Sequence, residues 1–114
     1  MSAITTHVLD TALGRPAAGV RVVIERICGE HGAHTLAEGA TDADGRAREL
    51  LPAGEPLAAG AYRLVFDTGA YFAERGAEAF YPSITVVFEV RDGAAHYHVP
   101  LLLSPFGYST YRGS

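Results

Sequence analysis

Residues 84–103 read ITVVFEVRDGAAHYHVPLLL, and this stretch decides the fold class because it holds two apolar runs separated by a turn. Residues 84–90 are rich in β-branched side chains, and residues 95–103 alternate polar and apolar side chains before a run of leucines. Asp92 and Gly93 between them form one of the strongest short-range signals for a hairpin. The stretch therefore predicts two strands joined as a hairpin, and an all-β fold around them.

Shorter strands precede this region. The alternation of residues 4–10 predicts a strand with Ile4, Thr6 and Val8 on one face and Thr5, His7 and Leu9 on the other. Further strands are expected at residues 20–27, 36–38 and 61–67, and one short strand is expected to begin at Arg46 after the turn 41–46. Many short strands with turns between them predict an antiparallel sandwich or small barrel.

One helix is expected, at residues 68–76. Thr68 is the predicted N-cap, and Gly76 is the residue expected to stop the helix. The chain of 114 residues is too short to divide into two pieces with adequate cores, so residues 1–114 are expected to form one domain.

Composition and charge exclude several classes of function. The net charge of −4 and the lack of a basic stripe argue against nucleic-acid binding. No apolar run approaches the roughly 20 residues of a membrane span. The single cysteine, Cys28, cannot form an internal disulfide and is expected to be a small core residue at a strand end. Because the first residues, MSAITTHVLD, lack the features of a signal peptide, we expect a cytoplasmic protein.

His96 and His98 share one face of the strand at residues 95–103, because side chains alternate along a strand. The pair has three interpretations: an exposed polar face, two ligands of a zinc site, or acid–base catalysis. A zinc site needs a third ligand, and His7 supplies one only if the first and last long strands are neighbours. Spacing alone leaves all three open.

His7, Arg46 and Ser114 are uninformative one at a time. His7 in an edge strand and Arg46 after a turn glycine are most often surface residues. Ser114 lies on a terminal segment that is poorly held unless something docks it, so its hydroxyl is expected to form hydrogen bonds rather than attack a substrate.

Five motifs in order along the whole chain resemble those of the transthyretin-like 5-hydroxyisourate hydrolases. The hormone-carrying transthyretins share the VLD, the YST and a similar LLSP, but they lack the first histidine and the YRGS ending. YRGS is therefore the most specific element. The motifs are TTHVLD at residues 5–10, GRPA at 14–17, DGR at 44–46, HYHVPLLLSP at 96–105 and YSTYRGS at 108–114.

The resemblance implies a transthyretin-type antiparallel β-sandwich with one short helix, assembled as a homotetramer (a dimer of dimers) with sites in the channel between dimers. It implies hydrolysis of 5-hydroxyisourate to 2-oxo-4-hydroxy-4-carboxy-5-ureidoimidazoline in urate degradation, with no cofactor and no metal. The family's site residues fall on catalytic His7, Arg46, His98 and Ser114, with Tyr111 and Arg112 binding substrate.

Opening a ring lactam with water needs a base for the water and a cation or N–H donor for the oxyanion. Under this hypothesis His7 and His98 act as a pair, one activating water and the other orienting it. Arg46 binds the polar ring and the oxyanion.

Three alternatives remain. A transthyretin-type carrier of small ligands is a binding module without catalysis, and a zinc hydrolase would use His7, His96 and His98. The turn pattern also resembles stalk-type sandwich domains of longer chains.

Overall fold

The computed structural model describes residues 3–29, 32–51 and 57–113, which form nine strands and one helix. The elements in chain order are β1 Ile4–Asp10, β2 Arg15–Pro16, β3 Arg21–Cys28, β4 Gly32–Ala40, β5 Arg46–Ala47, β6 Gly60–Phe66, α1 Thr68–Glu74, β7 Ile84–Val90, β8 Tyr97–Ser104 and β9 Gly107–Thr110.

The strands form two sheets, which confirms the predicted sandwich. One sheet has the order β2-β1-β8-β9 with β5 also paired to β1, and the other has the order β4-β3-β6-β7. The strand pairs are antiparallel except for β1 and β8, which run parallel over seven residue pairs from Ile4↔Tyr97 to Asp10↔Leu103. The first and last long strands are therefore neighbours.

The predicted hairpin between β7 and β8 is wrong. Both strands exist, but β7 pairs with β6 in one sheet and β8 pairs with β1 in the other. The intervening segment crosses between the sheets, and the Tyr97 hydroxyl there accepts hydrogen bonds from the backbone N–H groups of Arg91 and Asp92. The Asp-Gly signal describes only neighbouring residues, so it cannot show which sheet each strand joins. Both strands bury their apolar faces in one core shared by the two sheets, so either arrangement has the same local sequence pattern.

Alternation along the strands builds that core. The inward side chains of β1 and β8 include Ile4, Val8, Leu101 and Leu103, all almost fully buried, and they pack with inward residues of β3 and β6. Thr6 also faces inward, and its hydroxyl donates to the Val99 carbonyl oxygen at 2.5 Å. The odd-numbered residues of β1 consequently point away from the core.

Three local predictions need correction. The N-cap of α1 is Asp67, whose carboxylate accepts from Ala70 N at 3.4 Å, while Thr68 is buried as the first helical residue. Cys28 is exposed at the end of β3 and is not a core residue. The weak strand predicted at 36–38 is part of β4, which has nine residues, and the sequence pattern predicted no strand at β9.

In the described part of the chain, no helix is long and apolar enough to cross a membrane.

The turn before β5 fixes the position of Arg46. The Asp42 carboxylate accepts from the backbone N–H groups of Asp44 at 2.9 Å and Arg46 at 3.0 Å, and the hydrogen bond from Arg46 is the main cause of the lowered pKa of Asp42. Gly45 has a left-handed φ of 75°, and its carbonyl oxygen accepts a hydrogen bond from Val8 N at 2.7 Å. A Cβ at Gly45 would lie 2.5 Å from the Val8 carbonyl oxygen. Only glycine therefore lets this turn approach β1.

We predict that Gly45→Ala lowers the free energy of unfolding more than Gly76→Ala does. Both residues have left-handed φ, which costs alanine about 1–2 kcal/mol, but a Cβ at Gly76 meets nothing within 4 Å. The clash at Gly45 adds roughly 1–3 kcal/mol. Urea unfolding of both variants measures the difference, and equal losses would contradict the close approach of the turn to β1.

Candidate active site

Pairing along β1 brings three of the four predicted catalytic residues to one surface. β1 lies inside its sheet, with β5 on one side and β8 on the other, and its register pairs His7 with Arg46 and Thr5 with His98. Paired residues point to the same face of a sheet, so these side chains lie together on the face away from the core. The interpretation of His7 as an edge-strand surface residue is wrong, since His7 is half-buried on an interior strand.

The Thr5 hydroxyl lies between two imidazole rings. Its oxygen is 2.8 Å from His98 Nδ1 and 3.0 Å from His96 Nε2, and the two rings are nearly parallel with centroids 6.4 Å apart. Thr5 is buried, His98 is half-buried and His96 is exposed. We call Thr5, His7, Arg46, His96 and His98 the histidine face.

The surroundings of His98 favour its neutral form. Burial is the main cause of its lowered pKa, and the positive charge of Arg46 and the rings of His96 and His7 lower it further, whereas a hydrogen bond to the backbone of Thr5 raises it. A neutral imidazole has one nitrogen with a free lone pair, so it can accept a proton. The histidine face thus combines a potential base with a nearby fixed cation, Arg46.

The end of β9 and the residues after it are held against β8 by hydrogen bonds. Gly113 N donates to the His98 carbonyl oxygen at 2.8 Å, and the Thr110 hydroxyl donates to the Pro100 carbonyl oxygen at 2.6 Å. A Cβ on Gly113 would lie 2.5 Å from Cδ2 of the His98 ring. Gly113 therefore sets the space that the ring of His98 occupies.

The two predicted substrate-binding residues line a different cleft. Tyr111 and Arg112 lie on the wall of a cleft of about 320 Å³ that they share with His98 and with Val87 and Phe88 of β7. The Arg112 guanidinium lies over the Tyr97 ring, with 4.8 Å between Cζ and the ring centroid. Arg112 therefore packs on the residue that precedes His98 in β8 and lines the same cleft as His98.

Ser114, the fourth predicted catalytic residue, lies outside the described residues. Across residues 3–29, 32–51 and 57–113, no three His, Cys, Asp or Glu side chains are grouped so as to hold a metal ion.

The sequence interpretation missed Thr5 and Gly113. The sequence did contain a signal for Thr5, because it lies two residues before His7 and therefore on the same face of the predicted strand. Gly113 lies in the YRGS motif, but the reason for glycine there, the ring of His98 fifteen residues earlier on a neighbouring strand, is visible only in the structure.

Comparison with known proteins gives a consistent result. The model of the HIUase/Transthyretin family matches residues 4–113. The 5-hydroxyisourate hydrolase of Caulobacter vibrioides is 52% identical over all of both chains. The structure of 5-hydroxyisourate hydrolase from Klebsiella pneumoniae matches with a TM-score of 0.84 and 41% identity, over 97% of this chain and 98% of that one.

A carrier structure matches the fold equally well. Sea bream transthyretin in complex with thyroxine matches with a TM-score of 0.90 and 34% identity, over 98% of this chain and 95% of that one. Backbone shape therefore does not separate the two kinds of relative.

We predict that Gly113→Ala displaces the His98 ring. The new Cβ overlaps Cδ2, so the ring must lose its 2.8 Å contact with Thr5 or the segment must leave β8. The ¹⁵N and ¹H ring resonances of His98 measure the displacement. Gly107→Ala is the control, because its Cβ would meet Ser104 at an ordinary 3.7 Å. Unchanged His98 resonances in Gly113→Ala would contradict the prediction.

Proposed function

The chain belongs to the HIUase/Transthyretin family, and we propose that it hydrolyses 5-hydroxyisourate on the histidine face. One observation carries the proposal: the strand register gathers a neutral His98, a second histidine and a fixed arginine on one surface. The relatives from Caulobacter vibrioides and Klebsiella pneumoniae bear the name of this hydrolase. The reaction belongs to urate degradation.

His98 acts as the general base. Its Nδ1 is engaged by Thr5, so Nε2 is the nitrogen that accepts a proton from water as the water oxygen attacks the ring carbonyl. Arg46 stabilises the negative charge that forms on the carbonyl oxygen. The C–N bond then breaks, His98 returns the proton to the leaving nitrogen, and the product is 2-oxo-4-hydroxy-4-carboxy-5-ureidoimidazoline.

His7 orients the water or the substrate. It is paired with Arg46 across β1 and β5 and lies one diagonal step from His98 across β1 and β8, so it faces the same bound molecule. The proposal keeps Ser114 as a hydrogen-bonding residue for water or substrate. Tyr111 and Arg112 shape the site through the segment that docks beside His98.

A carrier role in the same fold is the alternative. The cleft lined by Val87, Phe88 and Tyr111 is apolar, as a site for a small hydrophobic ligand would be. The histidine face favours hydrolysis, because a carrier has no use for a base with a lowered pKa beside an arginine. A carrier would bind 5-hydroxyisourate or other aromatic ligands without accelerating the decay of 5-hydroxyisourate.

We also propose that four copies assemble as a dimer of dimers, with the sites in the channel between dimers. β7 and β9 are the last strands of their sheets among the described residues, and Val87, Phe106, Tyr108 and Tyr111 are exposed on or beside them. Such surfaces favour a partner. Light scattering should give about four times the 12.1 kDa of one chain, and a monomer would contradict this assembly.

The cytoplasm remains the proposed location. A single exposed cysteine, Cys28, fits a reducing compartment. Fractionation of cells that express the chain tests the proposal, and recovery outside the cytoplasmic fraction would contradict it.

We predict that His98→Asn slows hydrolysis about 10²–10⁴-fold, which is the usual contribution of general acid–base catalysis. Asparagine keeps a polar group near Thr5 but has no base, so binding should change less than turnover. The ultraviolet decay of freshly made 5-hydroxyisourate measures the rate. His34→Asn, on exposed β4 of the other sheet, is the matched control. Wild-type decay no faster than the spontaneous rate would refute the hydrolase, and full activity in His98→Asn would refute the role of His98.

We predict that the acid limb of kcat/KM lies below pH 6.5, the ordinary pKa of histidine. The lowered pKa keeps His98 neutral, and therefore active, as the pH falls through 6.5. Arg46→Gln removes a positive charge that lowers the pKa of His98, so the acid limb should move up towards pH 6.5. This shift is expected even if the variant also loses activity. Arg21→Gln, which removes an exposed cation from the other sheet, should leave the limb in place. A limb that does not move in Arg46→Gln would contradict the prediction.

A further inference from the structure

Thr5 differs from two nearby threonines, Thr6 in β1 and Thr11 directly after it, in what its hydroxyl contacts. The hydroxyl groups of Thr6 and Thr11 donate to backbone carbonyl oxygens of Val99 and Leu103, as threonines that only hold two strands together do. The Thr5 hydroxyl instead contacts a ring nitrogen of each histidine. This arrangement connects two titratable groups through one exchangeable proton.

We propose that Thr5 is a proton bridge between His98 and His96, through which the proton taken from water during hydrolysis is held on His96. The inference rests on the proposed function, because it concerns the same base. It adds two residues to the reaction that the family resemblance does not supply, Thr5 and His96.

Hydrogen-bond arithmetic restricts the bridge. A hydroxyl has one hydrogen, so Thr5 can donate to only one of the two rings and must accept from the other if both contacts are hydrogen bonds. In the proposed bridge, His98 Nδ1–H donates to Thr5 Oγ1, and Thr5 Oγ1–H donates to His96 Nε2. This leaves Nε2 of His98 free for water.

The transfer balances at each step. As water attacks the carbonyl, its proton moves to His98 Nε2, the Nδ1 proton of His98 moves to Thr5 Oγ1, and the original Thr5 proton moves to His96 Nε2. His98 stays neutral and His96 becomes the imidazolium. When the C–N bond breaks, the three protons move back, and His98 Nε2–H protonates the leaving nitrogen. No oxidant, reductant or co-reactant is needed.

The surroundings favour the charge on His96. His98 is half-buried and lies near the positive charge of Arg46, whereas His96 is exposed to water that can solvate an imidazolium. Thr5 is only 5% exposed, so bulk water has little access to the bridging hydroxyl. The proton thus has a shielded route from an unfavourable site to a favourable one.

The primary test compares Thr5→Val with Thr5→Ser. Valine keeps the shape and removes the hydroxyl, so kcat should fall about 10- to 100-fold, within the range of acid–base contributions, with KM little changed. Serine keeps the hydroxyl and should restore most of kcat. Thr11→Val, which removes a hydroxyl that contacts β8 from just beyond β1 and outside the histidine face, should leave kcat unchanged. Wild-type kcat in Thr5→Val would overturn the bridge.

The solvent isotope effect separates a bridge from a structural role. Wild-type kcat measured in mixtures of H₂O and D₂O should curve downward with deuterium content, because several protons move together, whereas Thr5→Val should give a straight line. His96→Gln should resemble Thr5→Val, and the double variant should lose no more than either single one. A straight line for wild type, or additive losses, would overturn the bridge.

Ring ¹⁵N shifts give a readout that does not depend on activity. In spectra recorded at a pH where the rings are neutral, His98 and His96 should both carry the proton on Nδ1, and His98 should lose this preference in Thr5→Val. A proton on Nε2 of His98 in the wild type would overturn the bridge even if hydrolysis is intact. If the wild type fails to accelerate the decay of 5-hydroxyisourate, the proposed function fails, and the shifts still decide whether Thr5 orders the two rings.

Discussion

The parallel pairing of β1 with β8 is the constraint on which the site depends. Seven residue pairs join strands that lie more than ninety positions apart, and β5 then adds to the free side of β1. If β8 paired with β7 as a hairpin, His98 would lie in the other sheet, apart from Thr5 and His7. The crossing segment between β7 and β8, held by the Tyr97 hydroxyl, is therefore as necessary to the site as the histidines.

The alternation of side chains along β1 and β8 places one set of residues in the core and the other set on the histidine face. Inward residues such as Val8 and Leu101 are fully buried, and the residues between them form the histidine face. His98 lies in β8 between Thr5 of β1 and Gly113, and burial is the main cause of its lowered pKa. This chain shares its fold with a transthyretin, at a TM-score of 0.90, and with a hydrolase, at 0.84, so the fold alone does not decide the function.

Sequence patterns predict local structure better than they predict pairing. The bounds of β1 and β7 and the turn that presents Arg46 follow from alternation and turn chemistry, which are properties of neighbouring residues. The choice of β1 as the partner of β8 follows from burial across the whole core, so the Asp92-Gly93 signal gives the wrong partner. His7, Arg46 and His98 come from motif resemblance, whereas the contacts of Thr5 need three dimensions.

The central claim is that the histidine face, rather than the cleft beside β7, receives the substrate. A crystal structure of the protein with a stable purine analogue that keeps the six-membered ring of 5-hydroxyisourate tests it most directly. The account predicts the analogue on the histidine face, with ring oxygens within hydrogen-bonding distance of Arg46 and of the imidazoles of His7 and His98. An analogue bound only in the cleft lined by Val87, Phe88 and Tyr111 would contradict it.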